Sequence, residues 1–253
     1  MKIKSPVLMA FGVSSILLLI KFVFSFLKNG MEYNLVFGAV CLLSALGISI
    51  SCFWISNEDL KSFYKFKKNL PMGSICALVC IAFALLAIAF WKDAAPADLK
   101  KQYPIMFFLS CVASLAFAFF SFSHFTGKNK FKFLQILIFA PAVYFIFSLT
   151  LFLSFDAGTP DPYNVIAQSF LSLFFVYYTQ IFVKCSNKIN IPKRLVAFGL
   201  PSILALLSFA IPAIFSSRFS CFSVLSLAPL THTLAIIYIA LFLFEGLLSK
   251  ADA

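Results

Sequence analysis

The sequence predicts an all-α fold: a polytopic bundle of about eight transmembrane helices forming a single membrane domain over residues 1–253. Three observations carry that prediction. Of the 253 residues, 62% are hydrophobic and 11% are charged, against roughly 45 to 50% and about 25% in soluble domains. Apolar runs of the roughly 20 residues a bilayer requires recur along the chain. Between them stand short polar stretches in which the basic residues collect.

Eight segments qualify as spans: 6–27, 34–56, 72–91, 105–125, 133–155, 163–183, 195–215 and 223–247. The first follows Met1-Lys2-Ile3-Lys4 and has the look of a signal peptide, but its apolar run exceeds the roughly 7 to 15 residues of such segments. No small-x-small cleavage site follows it, so it is expected to be retained. The second and fourth carry small residues at helical spacing, Gly47-xxx-Ser51 and Ser110-xxx-Ser114-xxx-Ala118, which suit close helix contacts. The third holds Cys76 and Cys80 four residues apart on one face, without His, Asp or Glu in the same span. These two are expected to be small packing residues, and no metal site is predicted. Five of the seven cysteines fall in apolar runs, which argues against a disulfide framework. Prolines stand inside the fifth, seventh and eighth segments, at Pro141, Pro201, Pro212 and Pro229, where neighbouring helices must satisfy the freed backbone. The last segment is preceded by "SSRFSCFSVLSLAPL", which a re-entrant stretch would also explain, so seven spans is the alternative count.

Orientation follows from the Lys and Arg residues. One alternating set of termini and loops holds fourteen of them, including Lys61, Lys65, Lys67 and Lys68, and Lys184, Lys188, Lys193 and Arg194. The other set holds five, with Lys21 left inside a span. The positive-inside rule then places both termini in the cytoplasm. A net charge of +11 on a soluble protein would point to nucleic acid; here the cations sit in loops, where anionic headgroups meet them. The expected partners are therefore the lipid bilayer and another membrane protein, with no nucleic acid. Loop 57–71, with four lysines beside Phe63 and Phe66, suits an anionic bilayer surface, though an ordinary solvated loop is the plainer account.

Few residues are candidates for more than packing. Lys21 lies about 9 Å from the outer end of the first span, close enough for its stem to snorkel; the functional alternative is an anion or substrate contact facing the bundle interior, with Asp156 as counter-ion. His232, beside Thr231, Thr233 and Pro229, falls near mid-depth of the last span, where an ionisable residue is a site hypothesis. A neutral imidazole bonded to a neighbouring helix is the plainer account. Asn164, Gln168 and Ser172 repeat at four-residue spacing and stack on one helical face, as either the lining of a cavity or interhelical glue. His124 reads as interfacial, and Tyr177 and Tyr178 as part of an aromatic belt. No phosphate loop, zinc-protease motif, nucleophile elbow or pair of intramembrane carboxylates is present. No catalytic residue and no cofactor is predicted.

The run from "FLQILIFAPAVYFIFSLTLFLSF" through "NVIAQSFLSLFFVYYTQIFV" to "PKRLVAFGLPSILALLSFAIPAIF" resembles a loosely defined group of multi-spanning membrane proteins of clostridial bacteria. Asn164 and the Arg194 to Leu200 junction are its most specific pieces. The resemblance covers residues 133–215. It implies a bacterial plasma-membrane location and carries over no catalytic or binding residue. The function expected is that of a non-enzymatic, membrane-embedded interaction or accessory protein. The alternatives are a small permease or channel whose path runs past Asn164, Gln168, Ser172 and His232, and a small-ligand receptor.

Overall fold

The computed structural model describes residues 12, 13, 16, 31–55, 68–93, 100–127, 137, 139–155, 162–182, 191–205 and 224–248. Seven helices lie among them: α1 Met31–Phe53, α2 Leu70–Lys92, α3 Gln102–Thr126, α4 Ala140–Phe155, α5 Pro162–Phe182, α6 Ile191–Ala205 and α7 Val224–Leu248. They coincide with the second to eighth predicted spans. Of the first, residues 12, 13 and 16 are helical and the rest lies outside the described residues, as does Pro212. Three stretches are long and apolar enough to cross a membrane: Leu70–Lys92, Gln102–Thr126 and Leu227–Glu245. Leu42–Phe53 and Ala140–Leu149 are equally apolar but shorter.

Local chemistry sets the helix ends. The side chain of Asn69 accepts the Met72 N–H at 3.0 Å, and Pro71 in the first turn needs no donor of its own. At the other end of the hairpin, Gly127 closes α3 in the left-handed region at φ 64°, its N–H donating to the Ser123 carbonyl at 2.9 Å. The Asn69 N–H donates to the His124 carbonyl at 2.8 Å, which ties the two helix ends together. Pro141 is the second residue of α4 and so starts that helix instead of bending it; Pro201 and Pro229 do lie inside α6 and α7.

The helices α2 to α7 form a ring in chain order, each packed on the next, and α7 closes it by packing against α2. α1 stands outside the ring against α6 and α5. Small residues and hydroxyls make the contacts between neighbours. Ser121 Oγ donates to the Gly73 carbonyl at 2.8 Å and Ser114 Oγ to the Cys80 carbonyl at 2.9 Å, both across the α2–α3 seam. Ser49 Oγ reaches the Ala197 carbonyl on α6 at 2.8 Å. The expected face Ser110-xxx-Ser114-xxx-Ala118 is corrected at one position. Ala118 is exposed, and Ser121, a turn beyond Phe117, takes its place.

Where the ring encloses its axis, aromatic rings fill it. Phe117 of α3 meets Phe175 of α5 at 5.6 Å and Tyr238 of α7 at 5.9 Å, while Phe145 of α4 stacks on Phe175 at 5.5 Å. The outward faces are apolar too, with Leu43, Ile50, Ile81, Phe108 and Leu115 all exposed. Trp54 follows the end of α1 and Trp91 ends α2, at opposite ends of the bundle, and both are exposed. Such outward faces, capped by tryptophans, are what a hydrocarbon surround accommodates.

Two glycines in contrasting surroundings give a stability test. A Cβ at Gly127 would sit 2.9 Å from the Lys68 backbone nitrogen on top of the left-handed strain, whereas no described atom lies within 4 Å of one built at Gly47. Gly127→Ala should cost about 1 to 2 kcal/mol and Gly47→Ala almost nothing, as read by thermal unfolding of the detergent-solubilised protein.

Candidate functional site

Two centres of buried polar side chains, each around a histidine, lie at different depths in the bundle. The first is built from four helices. The hairpin that fixes the end of α3 turns His124 inward, and the side chain is 3% exposed. Its Nε2 lies 3.2 Å from the Tyr238 hydroxyl of α7 and 3.4 Å from the Tyr178 hydroxyl of α5, and the two phenols also hydrogen-bond to each other. The buried Cys76 thiol of α2 lies beside the Tyr238 hydroxyl. Rings enclose the group: Phe120 and Phe242 stand edge-on to Tyr178 at 5.2 and 4.9 Å. An imidazole and two phenols each donate and accept, so the three can satisfy one another without water.

The second centre holds His232. Its Nε2 lies 3.4 Å from the Tyr144 hydroxyl of α4, which also pairs with Ser148 one turn along the same helix. Phe145 packs on the imidazole at 5.4 Å. The flanking threonines serve the backbone around Pro229: Thr233 Oγ1 donates to the Pro229 carbonyl at 2.8 Å. Thr231 Oγ1 donates to the Leu227 carbonyl at 2.7 Å and lies 3.4 Å from the Ala82 carbonyl on α2. That contact belongs to the seam where α7 closes the ring.

The predicted stripe on α5 is partly within the described residues. Gln168 and Ser172 are buried on the helix face that also carries Leu171, Phe175 and Tyr178. Ser172 Oγ donates to the Ser169 carbonyl at 2.8 Å. Gln168 is 1% exposed, and neither its Oε1 nor its Nε2 has a hydrogen-bond partner among the described residues. Asn164 is the third residue of α5, with its side chain outside the described residues, and Lys21 lies outside them altogether. His232 Nε2 thus meets the Tyr144 hydroxyl of α4.

Three positions differ from the sequence reading. His124 is buried and bonded, where an interfacial place was expected. Its signal lies in the spacing: Ser110, Ala113, Phe117, Phe120 and His124 recur at three or four residues, the period of one buried face. Tyr178 belongs to the interior and only Tyr177 to the surface, where its ring stacks on Phe198 at 5.4 Å and lies 5.2 Å below the Arg194 guanidinium. Adjacent residues point about 100° apart on a helix, so one tyrosine of the pair had to face inward. Asp93 carried no signal in the sequence. Its Oδ2 accepts the Val224 N–H at 2.7 Å, capping the first turn of α7 from the end of α2.

Chemically, both centres offer hydroxyls, imidazoles and one thiol, groups that hold helices or small polar molecules in register. Among the described residues no three His, Cys, Asp or Glu side chains converge as metal ligands. No family model matches the chain, and no curated protein or solved structure matches it.

The first centre is testable as a coupled unit. Tyr178→Phe and Tyr238→Phe should each cost about 1 to 3 kcal/mol by leaving a buried partner short of a bond. The double variant should fall short of the sum by about 0.5 to 3 kcal/mol, measured by denaturant unfolding in mixed micelles.

Proposed function

We propose that this chain is a multi-pass membrane protein of eight spans, with both termini cytoplasmic, that acts as a non-enzymatic interaction partner of another membrane protein. The observation that carries this reading is how the interior polar groups are used. His124, Tyr178, Tyr238, His232, Tyr144, Ser49, Ser114 and Ser121 are engaged in hydrogen bonds between or within helices around an axis filled by rings. A permeation path would instead set such groups along a continuous opening. Between α5 and α7, where that path was expected, Phe174 and Tyr178 face Tyr238 and Phe242 ring to ring.

The outer surface supports the same reading. On the Gly47-xxx-Ser51 face of α1 no described atom lies within 4 Å of a Cβ built at Gly47, and Ser51 Oγ folds back onto the Gly47 carbonyl at 2.8 Å. Leu43, Leu46 and Ile50 beside it are exposed. A glycine among exposed aliphatic residues lets a second helix approach closely. The orientation is supported by the end of the bundle that bears Lys68, Lys193 and Arg194, and a bacterial plasma membrane is the setting implied by the resemblance over 133–215.

Native mass spectrometry of the protein extracted from its own membrane in mild detergent tests the partner. The expected result is a stoichiometric second polypeptide that Gly47→Leu removes while the helical content stays unchanged; a chain found only alone overturns the reading. A fluorescent-protein fusion after Ala253 should glow and an alkaline-phosphatase fusion there should be inactive. The reverse would invert the proposed topology.

A further inference from the structure

Two cations stand side by side in the first turn of α6, and the packing of that helix decides where each one goes. α1 and α6 run antiparallel in a fixed register: Ser49 Oγ donates to the Ala197 carbonyl, and one turn along both helices Lys193 Nζ donates to the Phe53 carbonyl at 3.4 Å. That carbonyl is among the last of α1, which lack acceptances from their own helix, and the contact engages one of three ammonium donors. Arg194 turns to the other neighbour. Its guanidinium lies over the Tyr177 ring of α5, Nη1 donates to the Tyr177 hydroxyl at 3.3 Å, and Tyr177 in turn stacks on Phe198. Arg194 is exposed. Among the described residues neither cation meets a carboxylate: Asp93 caps α7 at the far end of the bundle, and Glu245 is bonded to neither. Beside the Lys193 contact the surface is apolar, with Phe53 and Trp54 48% and 72% exposed.

We propose that Lys193, Arg194 and Trp54 form a surface site for the headgroup of an anionic phospholipid, at the end of the bundle where α1, α5 and α6 meet. The chemistry selects that ligand. Two adjacent cations that meet no described carboxylate call for a group of net negative charge, and a guanidinium fork held by an aromatic ring matches phosphate oxygens two at a time. A soluble anion would answer the charge alone. A phospholipid also answers the exposed Phe53 and Trp54, because it presents phosphate and hydrocarbon in succession, and tryptophan favours the boundary between them. Such a site presupposes that the chain spans the membrane as proposed above.

The chain has two tryptophans, at opposite ends of the bundle, so quenching by brominated lipid reads each end separately. Trp91→Phe leaves Trp54 as the reporter, and Trp54→Phe leaves Trp91. Each protein is reconstituted into phosphatidylcholine bilayers containing either dibrominated phosphatidylglycerol or dibrominated phosphatidylcholine. Trp54 should prefer phosphatidylglycerol at least about fivefold, the attraction of one interfacial cation. Arg194→Gln and Lys193→Gln should each lower that preference about threefold, and together abolish it. Arg194→Lys, which keeps the charge and loses the planar fork, should fall between the wild type and Arg194→Gln. Trp91, beside the exposed Lys92, should show a weaker preference that none of these substitutions moves. Equal preference at the two tryptophans, or a preference at Trp54 that survives the double substitution, overturns the proposal. So does a wild type without lipid preference whose bound polypeptide is lost in Arg194→Gln, since the cations would then serve a protein. Quenching of Trp54 by both lipids alike sinks the site alone; quenching by neither sinks the membrane-spanning reading with it.

Discussion

Six helices arranged in a ring enclose more space than two packed helices do, and everything else about this bundle depends on filling it. Helices in contact stand about 8 to 10 Å apart, but partners across a six-membered ring stand farther, out of reach of valine or leucine. Here α3, α5 and α7 reach one another through Phe117, Phe175, Tyr178 and Tyr238. In lipid the apolar surround gives helices no reason to prefer each other, so association rests on packing and hydrogen bonds. Edge-to-face pairs add about 0.5 to 1.5 kcal/mol each beyond their buried area. The abundance of phenylalanine in this chain, 35 residues, has one physical use in that requirement.

The two kinds of contact divide the structure radially. Toward the axis the large rings decide which helices face one another across the bundle. Between neighbours around the ring, glycine, alanine and serine set how closely the backbones approach, as at Gly73 against Phe125 and Gly199 against Leu243. Hydroxyls then take up carbonyls at those seams. The tyrosines belong to both systems, because their rings pack and their hydroxyls bond. That is why the two histidines found partners in an interior where no Asp, Glu, Lys or Arg is buried among the described residues.

The helices were legible because apolar length and loop polarity are local properties, and six of the seven described helices begin within five residues of the expected place. For α4, the described helix runs Ala140–Phe155, and residues 133–136 of the expected span lie outside the described residues. What the sequence withheld was pairing across the bundle. His232 could be read as buried, but that it meets Tyr144 on α4 depends on which helices adjoin around the ring. Ring order is a long-range property. The inward turn of His124 and Tyr178 was in principle readable from the three-and-four spacing of their buried faces, yet a position near a span end pulled the interpretation toward the interface. Asp93 could not have been found, because its partner is a backbone N–H far along the chain.

That contact between Asp93 and Val224 has a bearing on biosynthesis. It joins positions 131 residues apart, and α7 is both the last of the described helices to be made and the one that closes the ring against α2. At about 5 to 20 residues per second, translation leaves the Asp93 carboxylate waiting on the order of ten seconds for its N–H, with α2 and α3 already joined and one edge of the ring open. During that interval the aromatic interior is reachable from the lipid side, by chaperones, by membrane proteases or by a partner helix inserting at the gap. Closure by α7 ends the interval. A chain stopped before Val224 would be held indefinitely in the open form, and the unmatched carboxylate at the end of α2 would mark it as unfinished.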